Sequence, residues 1–200
     1  MSAVKKKPGL ESVIVGISGA SGAIYARRML EILAGVGVQV HVIVTDPGRA
    51  VMAEELGVSE ISAEQLIGRG CDNLIFHDNG KMHDSLASGS YPVDAMVICP
   101  CSSHTAAAIS AGLGDTLLLR AAYVSLKQRR RLVLVHRENP LTAIDLENLL
   151  RITQAGGIIS PASPGFYMQP RTIDDLVDSV VGRALDLLNV PHELPIRWEA

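Results

Sequence analysis

Three segments of this 200-residue chain combine residue types that could do chemistry. The first, Gly16-Ile-Ser-Gly-Ala-Ser-Gly22, follows an apolar run and opens a helical stretch. Glycines let a backbone turn tightly and approach a ligand, and unpaired N–H groups at a helix start attract an anion. Ser18 and Ser21 would add hydroxyls beside it. Glycines at 16, 19 and 22 depart from the GxGxxG dinucleotide fingerprint, so a purely structural turn competes with phosphate binding. The second segment, Ile98-Cys-Pro-Cys-Ser-Ser-His-Thr105, brings Ser102, Ser103, His104 and Thr105 to the start of an alanine-rich helix, with Pro100 expected to end the strand before it. The third, His136-Arg-Glu-Asn-Pro140, sets opposite charges directly after a buried run. There Arg137 could clamp a phosphate or anionic ring, and Glu138 could act as acid or base. An exposed ion pair of little energetic worth is the plain alternative.

Further candidates are more isolated. Arg120 and Lys127 stand seven residues apart, about two turns along one helix face. The following Gln128-Arg-Arg-Arg131 reads as a solvated helix end. Arg183 falls at the margin of an apolar stripe, where a snorkelling edge residue is the bland reading. Pro161-Ala-Ser-Pro-Gly-Phe-Tyr167 is a stiff loop with two aromatics, and the only tryptophan is Trp198. Cys99 and Cys101 lack the further cysteines or clustered histidine that a metal site needs, so they read as small strand-end residues.

The elements that must position these residues show in the periodicity. Short Val/Ile-rich runs occupy 13–17, 38–45, 73–76, 95–99, 132–136 and 158–160. Continuous rather than alternating apolarity predicts strands covered on both faces. Helical spacing predicts helices over 22–34, 48–56, 62–68, 103–111, 116–130, 142–155 and 172–189. In the last of these, Ile173, Leu176, Val177, Val180, Val181, Ala184 and Leu188 form one stripe, with Thr172 as N-cap and Asp175 three positions on. Strand–helix alternation predicts an α/β, Rossmann-like, open and mostly parallel sheet with helices on both faces. Such sheets bind ligands beyond the carboxyl ends of their strands, where the three chemical segments all fall. The length fits one domain over residues 1–200, with 1–10 as a flexible tail.

Composition narrows the functions. Apolar residues make up 48% and charged ones 20%, enough for a large core and against disorder. The balance of 18 basic and 21 acidic residues carries no nucleic-acid footprint, and 4% aromatics argue against a base-stacking surface. Three cysteines make no disulfide framework, and no apolar run reaches membrane-spanning length, which points to a cytoplasmic protein that uses no membrane.

Together the segments resemble the flavin prenyltransferase (UbiX) family. The resemblance rests on Gly16–Gly22, Ala87-Ser-Gly-Ser90, Met96–Ser102, Arg120-Ala-Ala, Leu126-Lys-Gln-Arg-Arg130, Leu132–Pro140 and Pro164-Gly-Phe-Tyr167, and it covers nearly the whole chain. It implies transfer of a dimethylallyl group from dimethylallyl phosphate, or the pyrophosphate, to N5 and C6 of reduced FMN. The product, prenylated FMN, would serve a UbiD-type decarboxylase. It implies an FMN-binding turn at Gly19, Ala20 and Ser21, with Ser21 also a proton relay at N5. Thr45, the loop Ser102, Ser103, His104 and Thr105, and Arg137 would be further FMN contacts. Glu138 would handle protons, including that taken up by the departing phosphate. Arg120, Lys127, Tyr167 and Arg183 would cradle the allyl phosphate, in part from neighbouring subunits, and Trp198 would wall the prenyl group. A homo-oligomer, the dodecamer usual for the family, is implied, and no metal.

Asp46, His104, Tyr123 and Asn139 depart from the family pattern without removing a residue assigned to chemistry. Two rival readings use other residues. Asp46 as a ribose ligand, with the YxxxK spacing Tyr123-Val-Ser-Leu-Lys127, suggests an NAD-dependent short-chain oxidoreductase, but leaves Arg137-Glu138 unexplained. An FMN-dependent cysteine-decarboxylase-like flavoprotein would need a Pro-x-Met-Asn motif after the fifth strand, where His136-Arg-Glu-Asn-Pro140 stands instead.

Overall fold

The structure, a computed structural model, describes residues 10–194. The Val/Ile runs become six strands: β1 Ser12–Ile17, β2 Gln39–Val44, β3 Leu74–Asp78, β4 Ala95–Cys101, β5 Arg131–His136 and β6 Ile158–Pro161. They form one sheet in the order β3-β2-β1-β4-β5-β6, and every pairing is parallel. Strand order reverses between β1 and β4, which opens a crevice at their carboxyl ends.

Helices cover both faces, as the unbroken apolarity requires. On one face α1 (Ala23–Val36), α2 (Asp46–Leu56), α3 (Ala63–Ile67) and α7 (Ile173–Leu188) pack around Val13, Val15, Val42 and Val97. On the other, α4 (Ser103–Ser110), α5 (Leu117–Lys127), α6 (Ala143–Gln154) and a 3₁₀ turn (Ser85–Ala87) pack around Ile14, Ile43, Met96 and Leu134. Alternate residues of β1 thus feed opposite cores, the period of two that a strand imposes.

Local chemistry explains most boundaries. Side-chain oxygens of Thr45, Ser62, Ser102, Thr116, Thr142 and Thr172 accept first-turn amides of the helices they precede. At Thr142 and Thr172 the reciprocal bond from Asp145 or Asp175 completes a capping box. Among the boundaries that differ from expectation, three have a clear local cause. β4 does not stop at Pro100 but runs through it, because the pairing with β5 slips between Ile98 and Cys101 and spares the proline a ladder donor. α2 begins at Asp46, since Thr45 caps it and Pro47 is tolerated in a first turn. α5 ends at Lys127 rather than 130, because Arg129 takes a left-handed φ of 55°.

Candidate active site

Four backbone bonds lace the carboxyl ends of adjacent strands together. Ser18 N–H donates to Pro100 O at 3.2 Å, Thr45 N–H to Ile17 O at 3.0 Å, Arg137 N–H to Cys101 O at 3.0 Å and Ala162 N–H to His136 O at 2.8 Å. Buried Ser18 adds a side-chain bond to Pro100 O at 3.0 Å and accepts the Ser102 amide at 2.8 Å. The loops after β1 and β4 are therefore tied directly to one another. Ser102 caps α4 and donates to Thr105 Oγ1 at 3.1 Å.

These loops enclose a cleft of about 460 Å³. Gly19, Thr45, Ser102, His104, Thr105 and Glu138 contribute polar lining, and Pro47, Leu118 and Leu119 an apolar shelf. A Cβ at Gly19 would run into Pro47, and one at Gly16 would meet Leu118 at 3.0 Å, so glycine keeps the slot open. A flat apolar slot rimmed by hydroxyls at two helix starts fits FMN, whose ring needs the shelf and whose ribityl phosphate needs the donors. The donor set is this chain's own test of that fit.

The α1 start is not open as the glycine-rich turn suggests. Glu55, which sequence spacing did not single out, accepts the Gly22 amide at 3.0 Å and the Ala23 amide at 2.8 Å. Burial alone would raise its carboxyl. The Ser21 hydroxyl, both amides and nearby Arg137 outweigh that and hold it below the usual carboxylate range. The anion attracted by this helix start is thus the protein's own side chain, and Ser21 is tied to it. Arg137 Nε donates to Ser21 O at 3.3 Å, bracing the same turn. Only an acidic residue in a neighbouring helix could have signalled this, and its partner lies 33 positions away.

The other site residues disperse. Tyr167 and Arg183 line a second cleft of about 500 Å³ with Gly165, Met168, Ser179 and Asp186. Arg120 follows directly on the shelf residues Leu118 and Leu119, and its Nε donates to Ala87 O at 3.1 Å. Lys127 ends α5, whose first turn is bonded to Asn79 beyond the end of β3 and whose last residue precedes β5. Eleven helical residues span about 16 Å, which carries Lys127 to the opposite end of the sheet from Glu138. Its ammonium lies 5.5 Å from the Tyr123 ring centroid. Ala20 is buried in the β1 turn. The Ser103 hydroxyl meets His136 Nε2 at 3.1 Å and also bonds Asp145, so it clamps α4 to β5 and α6. Trp198 lies outside the described residues.

Burial pushes the Cys99 and Cys101 thiols well up, which makes both inert as nucleophiles. Among the described residues no group of three or more His, Cys, Asp or Glu could hold a metal ion, and no helix is long and apolar enough to cross a membrane.

An open parallel sheet with a hydroxyl-rimmed cleft at its switch point defines a Rossmann-like flavoprotein, and the family model described as Flavoprotein matches residues 1–185. Flavin prenyltransferase UbiX of Methanothermobacter thermautotrophicus is 43% identical over 189 residues, covering 94% of this chain and 96% of the relative. That of Pseudomonas aeruginosa is 41% identical over 199 residues, covering 95% of each. The crystal structure of AnUbiX (PadA1) in complex with FMN and dimethylallyl pyrophosphate superimposes with a TM-score of 0.87 at 36% identity, covering 96% of this chain and 98% of that one. A dodecameric FMN-dependent UbiX-like decarboxylase from Escherichia coli O157:H7 gives 0.87 at 36% identity, over 94% of this chain and 100% of that one. The chain belongs to the flavin prenyltransferase UbiX family. The FMN-dependent cysteine decarboxylase TvaF, at 16% identity and a TM-score of 0.61 over 90% of this chain and 99% of that one, shares the fold alone.

Proposed function

We propose that this protein transfers a dimethylallyl group from dimethylallyl phosphate, or its pyrophosphate, to reduced FMN, supplying prenylated FMN to a UbiD-type decarboxylase. The observation that carries this reading is the pair of clefts at one end of the sheet. One has an apolar shelf, hydroxyls and the Glu138 carboxylate, and the other has Tyr167 and an Arg183 with no ion pair among the described residues. Reduced FMN, when bound, supplies the nucleophilic atoms N5 and C6.

Gly19, Thr45, Ser102, His104 and Thr105 bind and orient the flavin, and Arg137 sits beside it. Ser21, its hydroxyl already engaged with Glu55, holds the route by which a proton leaves N5. Arg183, Tyr167 and Arg120 receive the donor phosphate, whose bond to the allyl carbon breaks as charge builds on its oxygen. Glu138, once protonated, delivers its proton to that oxygen; the flavin gains C5H9 and gives up one proton, a net C5H8, and phosphate departs with the proton from Glu138.

Lys127 reaches such a cradle only from a second copy, because its own chain holds it at the far end of the sheet. A homo-oligomer follows, and exposed Leu146 and Leu150, one turn apart on α6, offer an apolar face for it. The dodecameric relative supports this arrangement. Trp198 would complete the prenyl wall. The protein works in the cytoplasm, with no metal.

The experiment is anaerobic incubation of the purified protein with FMN, dithionite and dimethylallyl phosphate, then mass analysis of the released flavin. A gain of C5H8 is expected. Unchanged FMN with both the phosphate and the pyrophosphate donor would overturn the reading.

A further inference from the structure

The Ala87-Ser-Gly-Ser90 segment takes no part in the chemistry above, and neither do three titratable side chains beneath it. His41 on β2 and His77 on β3 meet at 2.9 Å, Nδ1 to Nε2, and His77 Nδ1 lies 2.7 Å from Asp84 Oδ2. Asp84 also accepts the Leu86 amide at 3.0 Å and so caps the 3₁₀ turn that leads into Ala87. Burial alone would raise the Asp84 carboxyl, but the bonds from His77 and Leu86 outweigh it and hold it below the usual range. His41 is 1% exposed, its Nε2 has no hydrogen-bond partner among the described residues, and its ring meets the Tyr91 ring edge-on at 5.6 Å between centroids.

Two imidazoles and a carboxylate are a costly filling for a sheet edge that aliphatic side chains could pack. A polar chain of this kind does what apolar packing does not: it fixes one register of the segment lying on it. That segment is the loop 84–91, and α5 together with the turn that follows it grips it from the other side. Arg120 Nε donates to Ala87 O at 3.1 Å, and Arg130 donates to Gly89 O at 2.7 Å and Tyr91 O at 2.8 Å. A Cβ at Gly89 would meet the Gln128 side chain at 2.6 Å, so the loop lies flush on α5. The hold on Arg120 is one neutral carbonyl on one nitrogen, and no carboxylate pairs with it among the described residues. Its terminal nitrogens are aimed by wherever Ala87 stands.

We propose that His77, bonded at once to Asp84 and His41, is a positioning residue for the Arg120 guanidinium and acts through the Ala87 carbonyl. The inference rests on the reading of Arg120 as part of the donor-phosphate cradle. The control of donor affinity then extends to a part-buried polar chain that touches neither ligand.

The test is a double-mutant cycle on the FMN-loaded full chain. It reads the calorimetric Kd of inorganic pyrophosphate alone together with donor KM and kcat. His77→Ala is expected to weaken pyrophosphate and raise donor KM about three- to tenfold, with FMN affinity held. His77→Asn, whose amide can still reach Asp84, restores both. In an Arg120→Ala background His77→Ala adds nothing further. Additive losses in the double variant, or parent-like pyrophosphate affinity in His77→Ala while Arg120→Ala weakens it, would overturn the positioning role. Parent-like affinity in Arg120→Ala itself would instead remove Arg120 from the cradle, and the inference with it. Should His77→Ala fail to fold, His77→Gln, which keeps the bulk but loses the Asp84 bond, takes its place in the same cycle.

Discussion

The Glu55 carboxylate accepts the Ala23 amide at 2.8 Å and thereby occupies the anion position at the start of α1. A glycine-rich turn that reads as a phosphate cradle is, in the folded chain, already neutralised from α2. In the proposed reading the flavin phosphate takes its donors from the helix starts at Thr45 and Ser102 instead.

Glu55→Gln separates the two roles of that carboxylate. Glutamine still accepts amide bonds but carries no charge, so FMN binding is expected to persist while turnover falls at least about tenfold. Stability tests the charge. The folded pKa of Glu55 is depressed, so its contribution is full above the unfolded value of about 4.5 and lost as pH falls through the folded value. The parent's thermal midpoint should exceed the variant's at pH 7 and converge with it as pH falls from 4.5 through the lower folded value.

Glu138→Gln tests the proton donor. The side chain lines the first cleft, is exposed, and among the described residues bonds only the Asn139 amide at 3.2 Å, so the fold does not depend on its charge. FMN should bind with parent affinity and single-turnover prenylation should slow about 10²–10⁴-fold. Prenylation at the parent rate would remove Glu138 from that role.

Gly19→Ala tests the shape of the slot. The new Cβ would run into Pro47, in the first turn of α2, so either Pro47 or the β1 turn must shift. A loss of about 1–3 kcal/mol in stability is expected. FMN affinity should fall in the same variant, measured by fluorescence quenching on titration.

His136 sets an acid limit on stability. Burial lowers its basicity, with Glu138 and Asp145 partly opposing. An unfolded histidine takes up its proton near pH 6.5. The stabilisation is therefore full above that value and lost as pH falls towards the lower folded value; His41, lowered by burial, shifts the same way. In His136→Val the drop in thermal midpoint between pH 7.5 and 5.5 should shrink by about 2–4 °C.

Much of the architecture is legible in residue order. Apolar runs without alternation specify strands buried on both faces, and hydroxyl residues at six helix starts specify where helices begin, because both signals act within a few residues of themselves. The polar loops after β1, β4 and β5 could be assigned to one crevice for the same reason: parallel strands put all carboxyl ends on one side. Roles that arise between distant segments were not legible. Glu55 meets Gly22 across 33 positions and His41 meets His77 across 36, and no periodicity joins them.

The chain alone determined the fold class, the family and the cast of hydroxyls, cations and carboxylates, since these depend on local pattern and on residue identity. Tertiary structure decided which of them stand free. It drew Glu55 onto the helix start expected to be open, engaged Ser103 with His136 and Asp145, and carried Lys127 to the far end of the sheet from Glu138. The physical reason is that a side chain's availability depends on what packs beside it, and that is fixed only once the sheet order β3-β2-β1-β4-β5-β6 has closed.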